Sequence, residues 1–480
     1  MGQDLRTALH VTSVVGLVLA AAMLIPTAVD LGVTGEHWQE FGLSALLTGL
    51  FWLLIAMATY GAKTTFTPRF GIILVNMLWW GITVSVIAPL VLGPAQLSIA
   101  AAIFETASGF TTTGSTVLTG LDHLDSGTLV WRSLLQWFGG TGILSLGLIV
   151  LPFLNVGGLQ LFRLESSDRS EKVLPRAAAI IRAIVVIYVG LTAACALGYR
   201  LTGMSPFDAI NHAMTTLSTG GFSTHDSSMG FFPNSATLWV GSVFMALAGL
   251  PFTLFVALFL SRKNLKLDPQ VVWFFAIIAG AVALLLVARD GATSPTPRSL
   301  SEDVFNVISI LTTTGYAAGD YTAWGSLSGP LFFTLTFFGG CAGSTAGGLK
   351  IYRLIVLAKM VNVSLKELIH PHGVFPLRYG RERIDPVIFN ASLVMSASFA
   401  GVLAMSTLVL AAQGNDFVTA VSGALTALAN VGPGLGDVIG PASTFQSLPD
   451  ASLLVLAICM IVGRLEIMVV LALFMRSLWR

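Results

Sequence analysis

Four short stretches decide the fold of this chain: F-T-T-T-G-S (110–115), L-S-T-G-G-F (217–222), L-T-T-T-G-Y (311–316) and A-N-V-G-P-G (429–434). Each follows a short, mildly apolar segment that suits a helix too short to cross a membrane. Together they form an internal repeat, which has to be recognised before any other pattern is interpreted. We take Gly114, Gly220, Gly315 and Gly432 as the equivalent positions, separated by 106, 95 and 117 residues.

The composition excludes a soluble protein. Only 10% of the 480 residues are charged, against about 25% in an ordinary soluble domain, while 55% are hydrophobic and the mean hydropathy is +0.83. A soluble fold of this length cannot hide so much apolar surface. This excludes a soluble enzyme, a disordered chain and a basic nucleic-acid binder, and it indicates an all-α polytopic membrane protein.

Ten apolar stretches are each near or above the ~20 residues that cross a bilayer. Two precede the repeats, and each repeat comprises a spanning helix, a half-helix, a loop and a second spanning helix. The predicted fold has four pseudo-fourfold repeats around one pore plus two N-terminal helices. The predicted units are 1–62 (two leading helices), 63–160, 161–262, 263–365 and 366–480 (repeats one to four). The ten stretches are 9–29, 41–60, 70–93, 128–154, 178–201, 236–260, 271–288, 329–357, 387–412 and 452–476.

The charges orient this topology. With a cytoplasmic N-terminus, 20 of the 25 Lys and Arg residues lie on the inner side, including the clusters Arg163–Arg182, Arg262–Lys266 and Lys350–Arg383. This agrees with the positive-inside rule and places the four loops outside. Acidic residues predominate on the outer side, and Asp122, Asp226, Asp320 and Asp437 follow the four glycines. An outer pore entrance lined by these acidic residues attracts cations. The alternative is that they are solvated loop residues that do not steer ions.

The loops have the chemistry of a filter for a monovalent cation. Non-helical backbone is tolerated at membrane depth where it lines a watery cavity, and glycine permits close approach of backbones there. Four such loops present rings of carbonyl oxygens that replace the ion's hydration shell. A divalent-ion filter needs carboxylates, and residues 111–115, 218–222, 312–316 and 430–434 contain none. The alternative is that they are external turns. The predicted filter residues are Thr111, Thr112, Thr113, Gly114, Ser218, Thr219, Gly220, Thr312, Thr313, Thr314, Gly315, Asn430, Val431 and Gly432.

These loops, with L-Q-W-F-G-G-T-G-I (135–143), F-G-G-C-A-G-S-T-A-G-G-L-K (338–350) and V-G-R-L-E (462–466), resemble the superfamily of bacterial Trk and Ktr, fungal Trk and plant HKT membrane subunits. The two leading helices and the length make the chain most similar to the TrkH/TrkG type. The resemblance implies potassium uptake in a bacterial inner membrane, a homodimer, and a cytosolic TrkA-type subunit that binds NAD and nucleotides. Because Gly114 is glycine and not serine, it also implies a preference for potassium over sodium.

The resemblance implies that two further elements lie beneath the filter. The glycines of 339–348 predict a break in a spanning helix, and the resemblance makes this segment a gate. A tight contact between helices with small residues is the alternative. Arg464 lies within an apolar span, where a charge is costly and functional by default. A structural pairing with a buried carboxylate is its alternative, and Lys350 either faces the pore or reaches the inner surface. The predicted gate residues are Gly339, Gly340, Gly343, Ser344, Thr345, Gly347, Gly348, Lys350 and Arg464.

The function predicted from these features is channel-like potassium uptake, with potassium bound at the filter residues and no organic cofactor in this chain. A coupled cation symporter is the alternative, and Glu105 and Glu466 are its candidate carboxylates. An enzyme is disfavoured because no nucleophile–base pair, metal-ligand spacing or cofactor motif occurs.

Overall fold

The computed structural model describes residues 2–33, 35–62, 67–149, 173–258, 268–288, 297–380, 382–384 and 386–479. Almost all of the regular structure in these residues is helical, as the composition predicts. The exception among the described elements is a hairpin of two antiparallel strands with two residues each, β1 (Arg378–Tyr379) and β2 (Glu382–Arg383). Much of the basic clusters at 163–182 and 262–266 lies outside the described residues.

Two leading segments precede the repeats, as predicted: Gly2–Val33, which consists of α1 (Gly2–Ala22) and α2 (Leu24–Val33), and α3 (Trp38–Ala58). The first repeat begins with α4 (Pro68–Asn76), a π-helical turn at Met77–Gly81, α5 (Ile82–Ser85) and α6 (Ala88–Leu92), and continues with α7 (Ile99–Phe110) and α8 (Ser126–Ile149). The second contains α9 (Val173–Leu201), α10 (Pro206–Leu217), α11 (Ser235–Ala248) and α12 (Phe252–Val256).

The third repeat contains α13 (Pro269–Ala288), α14 (Pro297–Leu311), α15 (Ser328–Phe337) and α16 (Ile351–Ile369). The hairpin and α17 (Pro386–Ala412) come next, followed by α18 (Phe417–Ala429), α19 (Gly436–Ile439), α20 (Asp450–Arg464), α21 (Ile467–Leu471) and α22 (Arg476–Trp479). The predicted order of a helical segment, a short helix, a loop and a second helical segment therefore occurs four times, although the second segment is broken in the second, third and fourth repeats. The short helices are α7, α10, α14 and α18.

Six helical segments of the described residues are long and apolar enough to cross a membrane: Gly2–Val33, Trp38–Ala58, Pro68–Leu92, Ala179–Leu201, Pro269–Val287 and Ile388–Ala412. The chain is a multi-pass membrane protein. Three predicted spans are not continuous helices. The span at 236–260 breaks at Gly249–Pro251, where proline lacks an N–H, and 329–357 breaks at the glycines. The span at 452–476 bends by 107° after Arg464.

Burial is concentrated around the short helices. Phe104, Ala213 and Ala424 on three of them are fully buried, whereas the outer helix α3 exposes Leu54 by 67% and Met57 by 68%. A soluble protein does not present such large apolar side chains in a row, but lipid tails accept them. The short helices and their loops are therefore the protected centre of the molecule, and the long helices form its lipid-facing wall.

Candidate functional site

The four short helices end in the same way. In each, one residue at the end of the helix donates its N–H to a carbonyl three residues back, and the next residue donates to a carbonyl five residues back. The second set of bonds runs from Thr113 to Ser108 (2.8 Å), Gly220 to Thr215 (2.9 Å), Thr314 to Ser309 (2.8 Å) and Val431 to Thr426 (3.0 Å). This is a Schellman ending, which satisfies carbonyls at a helix C-terminus. Four identical endings align the repeats atom by atom.

The left-handed residue in each ending is not glycine. Thr112, Thr219, Thr313 and Asn430 have φ of 56°, 52°, 57° and 55°. For a β-branched threonine this conformation is a true outlier that costs roughly 1–2 kcal/mol. Such strain persists only where the surroundings over-determine it, and it concentrates at functional sites.

The second residue of positive φ corrects the predicted alignment. It is Gly114, Gly221, Gly315 and Gly432, two residues after the left-handed residue in every copy. Gly221, and not Gly220, is therefore the counterpart of the other three glycines, because Gly220 occupies the position of Thr113 and Thr314. The ungapped alignment of L-S-T-G-G with L-T-T-T-G carries this signal.

The four loops form a closed ring. At each glycine, an added Cβ would overlap or crowd a backbone carbonyl oxygen of a neighbouring loop. Gly114 faces Gly220, Gly221 faces Thr314, Gly315 faces Val431, and Gly432 faces Thr113. The four carbonyls come from equivalent positions, and the series returns to its first loop. Glycine is required here because a side chain would separate adjacent loops.

Side chains also join the loops. The Asn430 amide donates to Thr113 Oγ1 (2.9 Å) and to the Met460 carbonyl (2.8 Å), and Ser115 Oγ donates to the Gly432 carbonyl (2.7 Å). Gln136 Nε2 donates to the Gly220 carbonyl at 2.6 Å. The side chains of the predicted threonine, serine and asparagine residues are fully buried. The ring is thus rigid and enclosed by protein.

A polar side chain of each short helix holds the chain that follows the glycine. Glu105 accepts the N–H of Val117 (2.9 Å), and Asn306 accepts that of Ala318 (3.0 Å). His212 Nε2 and Ser223 Oγ are 2.9 Å apart in the second repeat, and Ser422 Oγ accepts the N–H of Leu435 (3.0 Å) in the fourth. This role was not predicted, although Glu105, His212 and Asn306 each lie nine residues before the glycine of positive φ in their repeat.

Glu105 forms a buried ion pair with Arg132. Arg132 Nε and Glu105 Oε1 are 2.9 Å apart, and both side chains are 1% exposed. Arg132 also donates to the Ser223 carbonyl (3.0 Å) and to Thr116 Oγ1 (3.1 Å). Arg132 is therefore part of the ring's scaffold and not a solvated outer charge. Glu105, the first candidate carboxylate for coupling in a symporter, is therefore already paired with Arg132.

The break predicted by the glycines is present, and residues 339–350, which we call the glycine-rich loop, lie against the ring. The Gly347 N–H donates to Thr313 Oγ1 at 2.6 Å, and Thr345 Oγ1 donates to the Leu217 carbonyl at 3.2 Å. A Cβ on Gly347 would crowd the Ala429 carbonyl. The loop thus contacts the C-terminal ends of the second, third and fourth short helices.

A cavity of about 90 Å³ lies beside the glycine-rich loop. Its lining includes six of the predicted gate residues: Gly343, Ser344, Gly347, Gly348, Lys350 and Arg464. The other three hold the loop in place. Gly339 donates its N–H to the Leu349 carbonyl (2.9 Å), the Gly340 carbonyl accepts from Ile351 (3.4 Å), and Thr345 bonds the Leu217 carbonyl.

Arg464 is the last residue of α20, is 4% exposed, and leaves Nε and Nη2 without a hydrogen-bond partner. No described carboxylate lies within ion-pair distance of it. Glu466 has a positive φ of 60° and pairs with Arg353 at 2.7 Å. The bend after Arg464 separates the two side chains, although the sequence predicts one continuous span over both residues. Glu466, the second candidate carboxylate for coupling in a symporter, is therefore also paired.

Lys350 donates a hydrogen bond from Nζ to the Ala346 carbonyl, so it folds back onto the glycine-rich loop. With Arg353 and Glu466 paired, the side chains of Lys350 and Arg464 line the cavity without a carboxylate partner among the described residues. A positive charge in a confined space opposes the passage of a cation.

On the predicted outer side, His225 joins the loops that follow the first two glycines. Its Nδ1 is 2.5 Å from Asp122 Oδ1, and its Nε2 is 3.4 Å from Asp208 Oδ1. Burial opposes protonation of His225, but the hydrogen bonds and charges of Asp208 and Asp122 outweigh it and raise its pKa. The hydrogen bond from His225 lowers the pKa of Asp122. Asp226 Oδ1 accepts the N–H of Leu121 (3.1 Å), so these aspartates also hold the loops together.

Residues 44–479 match the TrkH family model, described as a cation transport protein. The chain is 43% identical to the Trk system potassium uptake protein TrkI of Halomonas elongata, over 98% of this chain and 96% of the relative. It is 35% identical to the Trk system potassium uptake protein TrkH of Escherichia coli K12, over 98% and 99%.

Among solved structures, the crystal structure of the potassium transporter TrkH from Vibrio parahaemolyticus matches with a TM-score of 0.90 and 31% identity. The match covers 99% of each chain. The similarity therefore extends over the leading helices and all four repeats.

Proposed function

Because the chain belongs to the TrkH family of cation transport proteins, we propose that it takes up potassium across the bacterial inner membrane through the ring of four loops. The curated relatives are named as potassium uptake proteins, which indicates transport and not enzymatic chemistry. Potassium is then the transported ion, and its ligands are the backbone carbonyls and hydroxyls of the predicted filter residues. Gly221 joins that set.

The closed ring is the observation that carries this proposal. Each glycine packs against the carbonyl of a neighbouring loop, and the neighbour relations return from Gly432 to Thr113. Equivalent carbonyls arranged in this way suit a dehydrated monovalent cation, because their partial charges replace water without the cost of binding a carboxylate. The C-terminal ends of four short helices add negative dipole ends on the same side.

The glycine-rich loop is the proposed gate. It contacts three of the four helix ends, and its cavity holds Lys350 and Arg464. In this arrangement the loop obstructs the path below the filter, and the unpaired guanidinium of Arg464 repels an ion that leaves it. Opening requires the loop to move away from the helix ends.

Passive conduction is favoured over coupled symport. A symporter needs a carboxylate that takes and releases a proton or a sodium ion. Glu105 is held by Arg132, and Glu466 is held by Arg353. Their engagement supports movement of potassium down its electrochemical gradient.

The proposal includes a homodimer and a cytosolic TrkA-type partner that binds NAD and nucleotides. Its support is the relatives' designation as members of a Trk system and the basic inner segment between Lys350 and Arg383. The N-terminus is cytoplasmic. The chain comprises the leading unit 1–62 and the repeats 63–160, 161–262, 263–365 and 366–480.

The test uses purified protein in liposomes loaded with potassium and diluted into potassium-free buffer. A proton ionophore and a pH-sensitive dye report charge-compensating proton entry as potassium leaves. We expect flux with potassium that exceeds flux with sodium, without a requirement for a sodium or proton gradient. Gly315→Ser should lose this selectivity, because its Cβ meets the Val431 carbonyl at positive φ. Unchanged selectivity in that variant would contradict the filter assignment, and flux that requires a sodium gradient would favour the symporter.

A further inference from the structure

Three side-chain hydrogen bonds connect the β1–β2 hairpin with the glycine-rich loop. Tyr379 of β1 donates its hydroxyl proton to Asp268 Oδ1. Gln270 Nε2 donates to Asp268 Oδ2 at 3.0 Å. The Ala342 N–H of the glycine-rich loop then donates to Gln270 Oε1 at 2.8 Å. The series has no gap between a segment on the predicted cytosolic side and a loop against the ring.

Additional contacts fix the geometry of this series of hydrogen bonds. Asp268 precedes α13, and its Oδ1 also accepts the Gln270 N–H at 3.0 Å, as an N-cap carboxylate does. Both carboxylate oxygens are therefore used. Gln270 is 3% exposed, so its amide has no water to replace these partners. Asp268 accepts a hydrogen bond from the side-chain nitrogen of Gln270. The other side-chain atom of that amide, Oε1, therefore faces Ala342.

The hairpin is also attached to the helix that leaves the glycine-rich loop. Lys359 of α16 donates to the Arg378 carbonyl of β1 at 2.6 Å. The turn residue Gly380 lies against Pro269, the first residue of α13, at 3.5 Å for an ideal Cβ. A displacement of the hairpin therefore acts on α13 and α16 together, and these helices approach the glycine-rich loop from two sides.

We propose that Tyr379, Asp268 and Gln270 are positioning residues through which the hairpin controls the glycine-rich loop. This inference rests on the proposed function, since it assigns the loop's regulation. With the hairpin in place, Gln270 holds Ala342 and the loop stays against the helix ends. When a cytosolic protein displaces the hairpin, Asp268 loses the Tyr379 hydroxyl, the Gln270 amide is no longer fixed, and the Ala342 N–H loses its acceptor. The coupling consists of discrete hydrogen bonds that a pair of mutations can measure.

The test is hydrogen exchange, followed by mass spectrometry, on the full-length protein in detergent. Tyr379→Phe removes the hydroxyl and little else. We expect exchange in the peptide containing Ala342 to rise by about fivefold, the factor for one net hydrogen bond, while peptides from the four short helices keep wild-type protection. Tyr60→Phe is the matched control, because it removes a phenol hydroxyl from a residue that is 79% exposed. It should leave the Ala342 peptide unchanged.

A double mutant distinguishes a relay from two independent defects. Gln270→Leu should accelerate exchange at Ala342 by itself, and adding Tyr379→Phe should accelerate it no further. Additive effects, or an unaltered Ala342 peptide in Tyr379→Phe, would overturn the relay. Asp268→Asn provides a third variant: one carboxylate oxygen becomes an amide nitrogen, which donates and cannot accept, so Tyr379 or Gln270 loses its acceptor and exchange at Ala342 should rise. These readouts need no potassium, so they stand even if the proposed transport function is wrong. If the relay hypothesis is wrong, the flux measured on the wild-type protein still tests the transport function.

Discussion

The carbonyl oxygen of Thr113 lies 2.9 Å from the position that a Cβ on Gly432 would occupy, and this contact joins the first loop to the fourth. The two residues are far apart in sequence, yet they complete the ring that Gly114, Gly221 and Gly315 begin. The ring is therefore a property of the whole chain: removal of any one repeat would open it. Thr112, which has a strained positive φ, directly precedes Thr113. The backbone strain is therefore located where the first and fourth loops meet.

The corrected alignment predicts a difference between two adjacent glycines. Gly221→Ala should abolish potassium flux, because Gly221 has φ of 77° and its Cβ would overlap the Thr314 carbonyl. Gly220→Ala should retain more flux, since Gly220 does not have a positive φ and its Cβ would meet the side-chain amide of Gln136 and not a backbone carbonyl. Liposome flux normalised to folded protein checks this. Equal loss in both variants, or greater loss in Gly220→Ala, would restore the original alignment.

Removal of the charge at Arg464 should increase flux. Arg464 lines the cavity, two of its nitrogen atoms have no partner, and no carboxylate in the described part of the chain lies within ion-pair distance of it. We expect Arg464→Ala to raise potassium flux by about tenfold, which corresponds to about 1.4 kcal/mol off the barrier. Arg476→Ala removes an exposed arginine near the same end of the chain and should leave flux at the wild-type level. Unchanged flux in Arg464→Ala would assign the residue a structural role.

The sequence predicted the four repeats and the helix break at 339–350, because each depends on local composition. The second glycine of positive φ is Gly221 and not the predicted Gly220, because the left-handed residue two positions earlier is threonine and not glycine. Threonine is disfavoured in that conformation, so nothing in the composition indicates where each helix ends. The ungapped alignment of L-S-T-G-G with L-T-T-T-G does place Gly221 opposite Gly315.

The sequence also could not show which charges are paired. Arg132 and Glu105 lie 27 residues apart on two helices, and the packing of the first repeat brings them to 2.9 Å. A count of charges by membrane side places both outside, where each would be hydrated. Their true environment is the interior, where an unpaired charge costs several kcal/mol. The Asp268–Tyr379 contact is hidden for the same reason, since 111 residues separate the partners.

Breaking the Arg132–Glu105 pair should destabilise the protein strongly. Arg132→Met leaves Glu105 as a buried charge without its partner, which costs about 3–5 kcal/mol and should lower the thermal unfolding temperature in detergent. The double variant Arg132→Met, Glu105→Gln should recover part of that loss, because glutamine is neutral and its carbonyl still accepts the Val117 N–H. A double variant no more stable than Arg132→Met alone would show that packing, and not charge, explains the loss.

The raised pKa of His225 predicts a pH dependence with a definite sign. The folded state favours protonated His225, so its contribution to stability is complete below the unfolded pKa of about 6.5 and is lost as pH rises through the higher folded value. Asp122 and Asp208, its two partners, have lowered pKa values and stay ionised throughout this window. The unfolding temperature should therefore fall as the pH rises above about 6.5, and His225→Gln should flatten that decline. The exposed neighbour His123 is the control: His123→Gln should keep the wild-type slope. A slope that survives in His225→Gln would assign the titration to another group.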